Sequence, residues 1–315
     1  MNIRPRFGYE MTLAIVTVLA LAALSTMSDK FFTTSNLLNQ GRLMSEVGLV
    51  ALPMTFVIIT GGIDLSVGSI LGLSAILLGV FWQSVGLPLP VAALAAMACG
   101  TAAGFMNGLV ITRFGVPPLI TTLATLALYR GLAEGISNAR SVRGYPEWFY
   151  GLGQGNLAGV PSQLWILVLC TLVAAVILAL TPFGRATYAI GANETAARFS
   201  GVRVVATKLW IYSAAGFLAS LAAVIFVSRV TTTRSDMGTG IELDVITGVV
   251  LGGTSIFGGK GTILGTVLGL VLIQALKNGL ALSGVKGDGT IVIIGVVLIG
   301  AMLIGALLDR TRGGS

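Results

Sequence analysis

Three stretches of this sequence hold residue types whose spacing points to chemistry or to unusual backbone. Thr60-Gly-Gly-Ile-Asp-Leu-Ser-Val-Gly-Ser-Ile-Leu-Gly72 resembles Leu251-Gly-Gly-Thr-Ser-Ile-Phe-Gly-Gly-Lys-Gly-Thr-Ile-Leu-Gly265. Both break an apolar run with glycine pairs (Gly61-Gly62, Gly252-Gly253 and Gly258-Gly259), as discontinuous membrane helices do. Asp64 is the only carboxylate from Val47 to Ala133. An ionisable group within a membrane is a functional candidate by default, and a carboxylate just ahead of Leu65-Ser66 also suits a helix cap. Both roles stay open on the residues alone. Asn107, Gln274, Lys277 and Asn278 are further polar groups inside or ending apolar runs. Hydrogen-bonded packing is the common use of such groups, and lining a translocation path is the rarer one.

The third stretch lies in the loop Pro182–Lys208 and reads Gly191-Ala-Asn193-Glu194-Thr-Ala196-Ala197-Arg198-Phe-Ser200-Gly201-Val202. Asn193 offers an N-cap and Gly201 can end the helix, while Ala196, Ala197, Phe199 and Val202 supply a short apolar face. A short helix between two membrane ends, showing apolar and charged groups together, suits docking to another protein. A helix lying on the lipid surface is the alternative.

Other chemistry is missing. The chain has no His, which removes the commonest general base and metal ligand. Cys99 and Cys170 sit in apolar runs without C-x-x-C spacing, so no metal site is expected. Thr254-x4-Gly259-Lys260-Gly261-Thr262 fails as a phosphate-binding loop, which needs Gly at the Thr254 position and Ser or Thr straight after the Lys. No catalytic constellation is found, and this chain is not expected to hydrolyse ATP.

The elements that must position these groups follow from composition. The 315 residues are 55% hydrophobic and 10% charged, with a mean hydropathy of +0.94. A soluble domain carries roughly 25% charged residues, so this chain cannot cover a water-facing globule. Apolar runs of about 18 or more residues read as membrane helices. The expected fold is all-α, a single polytopic domain over 1–315 with about ten passes in the lipid bilayer. The passes are Tyr9–Met27, Gly41–Thr60, Ser66–Val85, Leu89–Thr112, Pro117–Ala133, Gln163–Thr181, Ala206–Ser228, Glu242–Phe257, Thr262–Leu280 and Gly289–Leu308. Few carboxylates are expected within them beyond Asp64, which argues against proton coupling.

Forty-three glycines need a packing explanation. Gly100-x3-Gly104-x3-Gly108, Gly261-x3-Gly265-x3-Gly269 and Gly295-x4-Gly300-x4-Gly305 fit close helix approach. The net charge of +7 sits at loop ends and termini, so nucleic acid is not an expected partner. Arg4 and Arg6 ahead of the first pass, and four basic residues in Pro182–Lys208, place both termini and that loop in the cytoplasm. The longest outside loop, Glu134–Pro161, carries aromatics expected at the bilayer interface.

At this point the residues resemble a known family. Glu194-x-Ala196-Ala197-x3-Gly201 is similar to the EAA-type coupling loop of ATP-binding-cassette importer permeases, with Thr195 departing from the strict form. Gly191-x-Asn193 through Ser200-Gly201, Gly61 through Gly68 and Val250 through Gly261 resemble the ribose/xylose/arabinose-type sugar permeases. The resemblance implies a permease subunit of the bacterial inner membrane, paired with a second copy or a paralogue. It further implies a periplasmic sugar-binding protein and a cytoplasmic ATPase that holds ATP and Mg and docks around Asn193–Gly201. The cargo implied is a monosaccharide: a pentose, a deoxyhexose or a related sugar. A same-superfamily permease for branched-chain amino acids or nucleosides is the alternative, and an ion-coupled transporter or a membrane enzyme lies further off.

Overall fold

The structure, a computed structural model, describes residues 7–138 and 140–285 and isolated positions beyond. Its helices are α1 (Phe7–Met27), α2 (Thr34–Ile59), α3 (Val67–Gly79, prolonged by a π-helical turn over Val80–Ser84), α4 (Leu89–Arg113), α5 (Pro118–Ser137), α6 (Glu147–Gly153), α7 (Ser162–Leu180), α8 (Pro182–Ala192), α9 (Glu194–Phe199), α10 (Val204–Val230), α11 (Ile241–Leu251) and α12 (Ile263–Leu282). A two-residue hairpin pairs β1 (Asn156–Leu157) with β2 (Val160–Pro161). Among the described residues, seven helices are long and apolar enough to cross a membrane: α1, α2, α3 with its π turn, α4, α7, α10 and α12. The chain is therefore an all-α, polytopic membrane protein.

Three expected passes differ or fall outside. The pass over Glu242–Phe257 is α11, whose 11 residues span about 17 Å at 1.5 Å per residue, short of a hydrocarbon core of about 30 Å. Gly252-Gly253 stops it, Gly253 taking a φ of +86° that only glycine adopts cheaply. The pass over Pro117–Ala133 is α5, which carries Arg130 and Glu134 and is not among the seven. Gly289–Leu308, with Gly300 and Gly305, lies outside the described residues.

The core forms around α2, from Leu49 to Ile59, packed on α3 and α10. Leu94 on α4, and Leu169 and Leu172 on α7, are exposed, as a lipid-facing surface requires. Glycines let the inner helices touch. A Cβ on Gly104 would overlap the Tyr212 carbonyl, and one on Gly216 the Gly100 carbonyl. α11 and α12 run antiparallel with Gly252 against Gly265 and Gly248 against Gly269. Two of the three glycine stripes are thus close-packing surfaces, each with glycines on the facing helix.

The connection 231–240 does not stay at one end. A Cβ on Gly79 would lie 3.2 Å from Thr233 Oγ1, one on Gly72 2.7 Å from the Met237 carbonyl, and one on Gly68 would meet the Gly238 carbonyl. The segment therefore descends along α3. Arg130 clamps it by donating to the Ser235 and Met237 carbonyls at 2.5 and 2.9 Å. In the long loop, Tyr145 and Phe149 are core residues, with Trp82 stacked on Tyr145 at 4.5 Å. Trp148 and Trp165 stay exposed, so the expected aromatics divide between the core and the surface.

Candidate functional site

The loop Pro182–Lys208 is a helical hairpin. Pro182 begins α8 at a position where its missing N–H costs nothing, and Thr181 Oγ1 accepts from Gly184 N–H at 3.3 Å. Asn193 ends α8 and caps α9, its Oδ1 accepting from Ala196 N–H at 2.9 Å. Ser200 closes α9, and Gly201 follows with φ +82°, the left-handed stop. The apolar residues of α9 divide. Ala197 is buried in a small cluster with Ile190 and Val204, and Val202 packs on it. Phe199 points outward at 88% exposure, and Asn193, Ala196, Arg198, Ser200 and Gly201 are exposed beside it. Glu194 pairs with Lys208 at 2.5 Å and with Arg198 at 3.3 Å, tying α9 to α10.

The glycine segments converge on this hairpin. Gly259 N–H donates to the Ile59 carbonyl at 2.8 Å. Gly191 of α8 sits so close that a Cβ there would overlap both the Ile59 carbonyl and Gly259 N. A Cβ on Gly258 would lie 2.8 Å from the Gly191 carbonyl and 3.1 Å from Gly61 N. The Tyr188 hydroxyl donates to the Gly261 carbonyl at 2.7 Å. Three backbones, from the end of α2, the end of α8 and the α11–α12 loop, therefore meet without side chains between them. Gly61, Gly258 and Gly259 have φ of +78°, +87° and +72°. The Tyr9 hydroxyl donates to the Leu251 carbonyl at 2.9 Å, and Thr262 bonds Glu10, so the start of α1 lies at this same end. Phe257, 78% exposed, adds a second aromatic knob there.

Asp64, Asn107, Gln274 and Asn278 fall into two separate networks. Asp64 is fully buried in the connection 60–66, outside the spans of α2 and α3. Its Oδ1 accepts from Ser66 N–H at 2.9 Å and Ser66 Oγ at 2.6 Å. Asn107 Nδ2 donates on to Ser66 Oγ at 2.8 Å, and the Tyr129 hydroxyl donates to the Ala103 carbonyl at 2.9 Å. This is a local capping turn at the start of α3. Burial pushes the Asp64 carboxyl up to about 6, with the two Ser66 bonds opposing. Gly62 leaves room for the Tyr212 hydroxyl, 2.7 Å from where its Cβ would be.

The second network joins Gln40 to both other candidates. Gln40 Nε2 donates to Asn278 Oδ1 at 2.8 Å, and Gln274 Nε2 donates to Gln40 Oε1 at 2.7 Å. Beside it Lys277 pairs with Asp244 at 2.5 Å. Gln40 stands 19 residues before Ile59 on α2, about 28 Å along the helix. The two networks therefore lie far apart.

The expected scarcity of carboxylates in the passes does not hold. Glu46 is buried in α2 and accepts two bonds from Arg229, at 2.7 and 3.0 Å. Glu242 and Asp244 are half-buried at the start of α11. Their presence in those passes is in the sequence itself; the distant partners Arg229 for Glu46 and Lys277 for Asp244 are not.

A family model described as "Branched-chain amino acid transport system / permease component" matches residues 36–307. The chain belongs to that family. It is a permease component of an ATP-binding-cassette importer and not itself an ATPase, and no cofactor is indicated for this family of permease subunits. By family, an ATPase and a binding protein are its partners, and it is a multi-pass bacterial membrane protein. The chain is 42% identical over 274 residues to the ribose import permease protein of Bacillus subtilis, covering 86% of this chain and 85% of that one. It is 41% identical to the Escherichia coli ribose import permease protein, covering 89% and 88%. Against the autoinducer 2 import system permease protein LsrD of Yersinia enterocolitica it is 37% identical, covering 90% and 87%. No solved structure matches.

Proposed function

We propose that this chain is the membrane-spanning subunit of a binding-protein-dependent importer that moves a monosaccharide across the bacterial inner membrane. Two permease subunits, identical or paralogous, form the path, and both termini face the cytoplasm. The ATPase docks on α8–α9 around Asn193–Gly201, with Phe199 entering a pocket on that partner. The observation that carries this reading is the glycine junction. A push on α9 passes through α8 to the end of α2 and to the α11–α12 loop, with backbone meeting backbone and no flexible side chain to absorb it. The start of α1 at the same end supports the orientation. Similarity to two ribose import permeases supports a sugar as cargo, whereas the family description favours branched-chain amino acids as a second reading.

The test is uptake in proteoliposomes holding the permease with its ATPase and binding protein, fed radiolabelled ribose or valine. ATP-dependent ribose uptake that needs the binding protein is expected. Uptake driven by an ion gradient without the ATPase overturns the reading, and valine uptake alone selects the second one.

A further inference from the structure

Two fully buried polar groups beside the connection 60–66 have no hydrogen-bond partner within the chain. One is Asp64 Oδ2, since both bonds from Ser66 fall on Oδ1. The other is the hydroxyl of Tyr212 on α10. Asp64 is 0% and Tyr212 1% exposed, so bulk water reaches neither. The hydroxyl stands 2.7 Å from the place a Gly62 Cβ would fill, two residues from Asp64, and within range of the Asp64 charge. No bond joins the two groups. Leaving a buried donor or acceptor unpaired is costly, and folded proteins seldom do it. Here a bare acceptor and a bare donor share one neighbourhood, and a single bond between them would satisfy both.

The surroundings indicate which side can move. The backbone of Tyr212 is fixed against α4: a Cβ on Gly104 would overlap its carbonyl, and one on Gly108 would lie 3.2 Å from its Cβ. The connection 60–66 is less confined. Gly61, at φ +78°, has nothing within 4 Å of where its Cβ would be. Its neutral ties are Thr122 Oγ1, donating to the Ile63 carbonyl at 3.0 Å, and Asn107, donating to Ser66. Among the described residues no cation pairs with Asp64, which leaves the Tyr212 hydroxyl as a donor free to serve it. We propose that Tyr212 is a positioning residue for transport, whose hydroxyl donates to Asp64 Oδ2 in a second arrangement of the permease and there holds the connection 60–66 against α10. A bond made in one arrangement and absent from the other biases the equilibrium between them by its own free energy. A Cβ on Gly258 would lie 3.1 Å from Gly61 N, so movement at the glycine junction reaches this connection directly. The inference rests on the importer reading for what drives the change, and adds to it the contact that the moved connection makes.

Tyr212→Phe, which removes only the hydroxyl oxygen, separates this role from packing. In the full chain in detergent, its melting temperature is expected to rise, because an unpaired buried group has gone. In proteoliposomes with the ATPase and binding protein, the same variant is expected to lower ATP-dependent ribose uptake about fivefold, the weight of one neutral hydrogen bond. A hydroxyl with a purely structural role moves stability and uptake in the same direction. A lower melting temperature, or uptake equal to wild type, overturns the inference. The second measurement is the infrared difference spectrum of the complex on adding ATP. Asp64→Asn, whose amide can still meet the hydroxyl, identifies the carboxyl band of Asp64. That band is expected to shift with ATP in the wild type and to stay fixed in Tyr212→Phe. A band unmoved by ATP in both, or moved equally in both, overturns the pair. ATP hydrolysis without uptake of ribose or valine, with the band still shifting, refutes the transport reading and leaves the pair standing.

Discussion

Gly191→Ala is the sharpest test of the junction. The substitution adds one methyl group, and in most helices it would stabilise by about 0.5–1 kcal/mol relative to glycine. At Gly191 the added carbon would overlap the Ile59 carbonyl and Gly259 N, both backbone atoms that cannot swing aside as a side chain would. To admit it, α8 must withdraw and the 2.8 Å bond from Gly259 to Ile59 must lengthen. Overpacking costs about 1–3 kcal/mol, and the lost bond adds about 1 kcal/mol. A total of about 2–4 kcal/mol is roughly a 30- to 900-fold shift in the equilibrium between seated and displaced hairpin. Gly131→Ala on α5 is the control, because a Cβ there meets nothing within 4 Å. The assay compares solute moved per ATP hydrolysed in proteoliposomes, with melting temperature in detergent. Gly191→Ala is expected to lower the transport-to-hydrolysis ratio at least tenfold, with ATPase still bound, while Gly131→Ala leaves it unchanged. Normal coupling and an undiminished melting temperature in Gly191→Ala would show that the backbones do not meet as described.

Phe199→Ser should abolish co-purification of the ATPase while the permease folds normally, since the ring is 88% exposed. Ala197→Asp should instead lower folded yield, because it puts a carboxylate against Ile190 and Val204; equal ATPase loss with full yield in both would remove the inward assignment of Ala197. Asp64→Asn should keep near-normal uptake, since Asn accepts the Ser66 bond comparably. Because burial raises the Asp64 carboxyl from 3.8 to about 6, the folded state favours the protonated form. The stability this contributes is present below pH 3.8 and lost as pH rises through about 6. Melting temperature measured between pH 5 and 7.5 should thus fall in the wild type and be flatter in Asp64→Asn. Arg229→Met should cost about 3–5 kcal/mol by leaving Glu46 unpaired, and Glu46→Leu added to it should recover most of that; additive losses in thermal unfolding would contradict the pairing.

Where a feature is written in neighbouring residues, the sequence reveals it. The long apolar runs are the spans, Asn193 and Gly201 bracket α9, and the stripes at Gly100–Gly108 and Gly261–Gly269 are packing surfaces. What escaped depends on contacts between distant segments. The glycine pair Gly252-Gly253 marks a local break, but that it ends α11 short of a full pass depends on its packing against Gly265 of the next helix. Glu46 and Arg229, or Asp244 and Lys277, look like stray charges until the fold pairs them. The inward turn of Ala197 depends on the angle between α8 and α9, which a periodicity argument does not contain. Asp64 was ambiguous in role on the sequence, since a capping carboxylate and a functional one begin from the same sequence pattern, and the fold gives it two bonds to Ser66.

The glycine junction and the Asp244–Lys277 ion pair are joined by the same helices. α2 leaves the junction at Ile59 and passes the Asp244–Lys277 pair at Val47 and Met44; α12 leaves it at Ile263 and reaches Gln274 and Lys277. Each connection is a continuous stretch of helix of about 17–23 Å, and α11 packs on α12 with glycine backbone against glycine backbone. Coupling over such a distance requires an element with two discrete arrangements that both sites bias. α11 meets that description better than any long helix. It is short, it ends in a left-handed glycine, and its start is held by an ion pair to α12 rather than by apolar packing alone. On the proposed docking at α9, displacing the α11–α12 loop at the junction is expected to move Asp244 relative to Lys277.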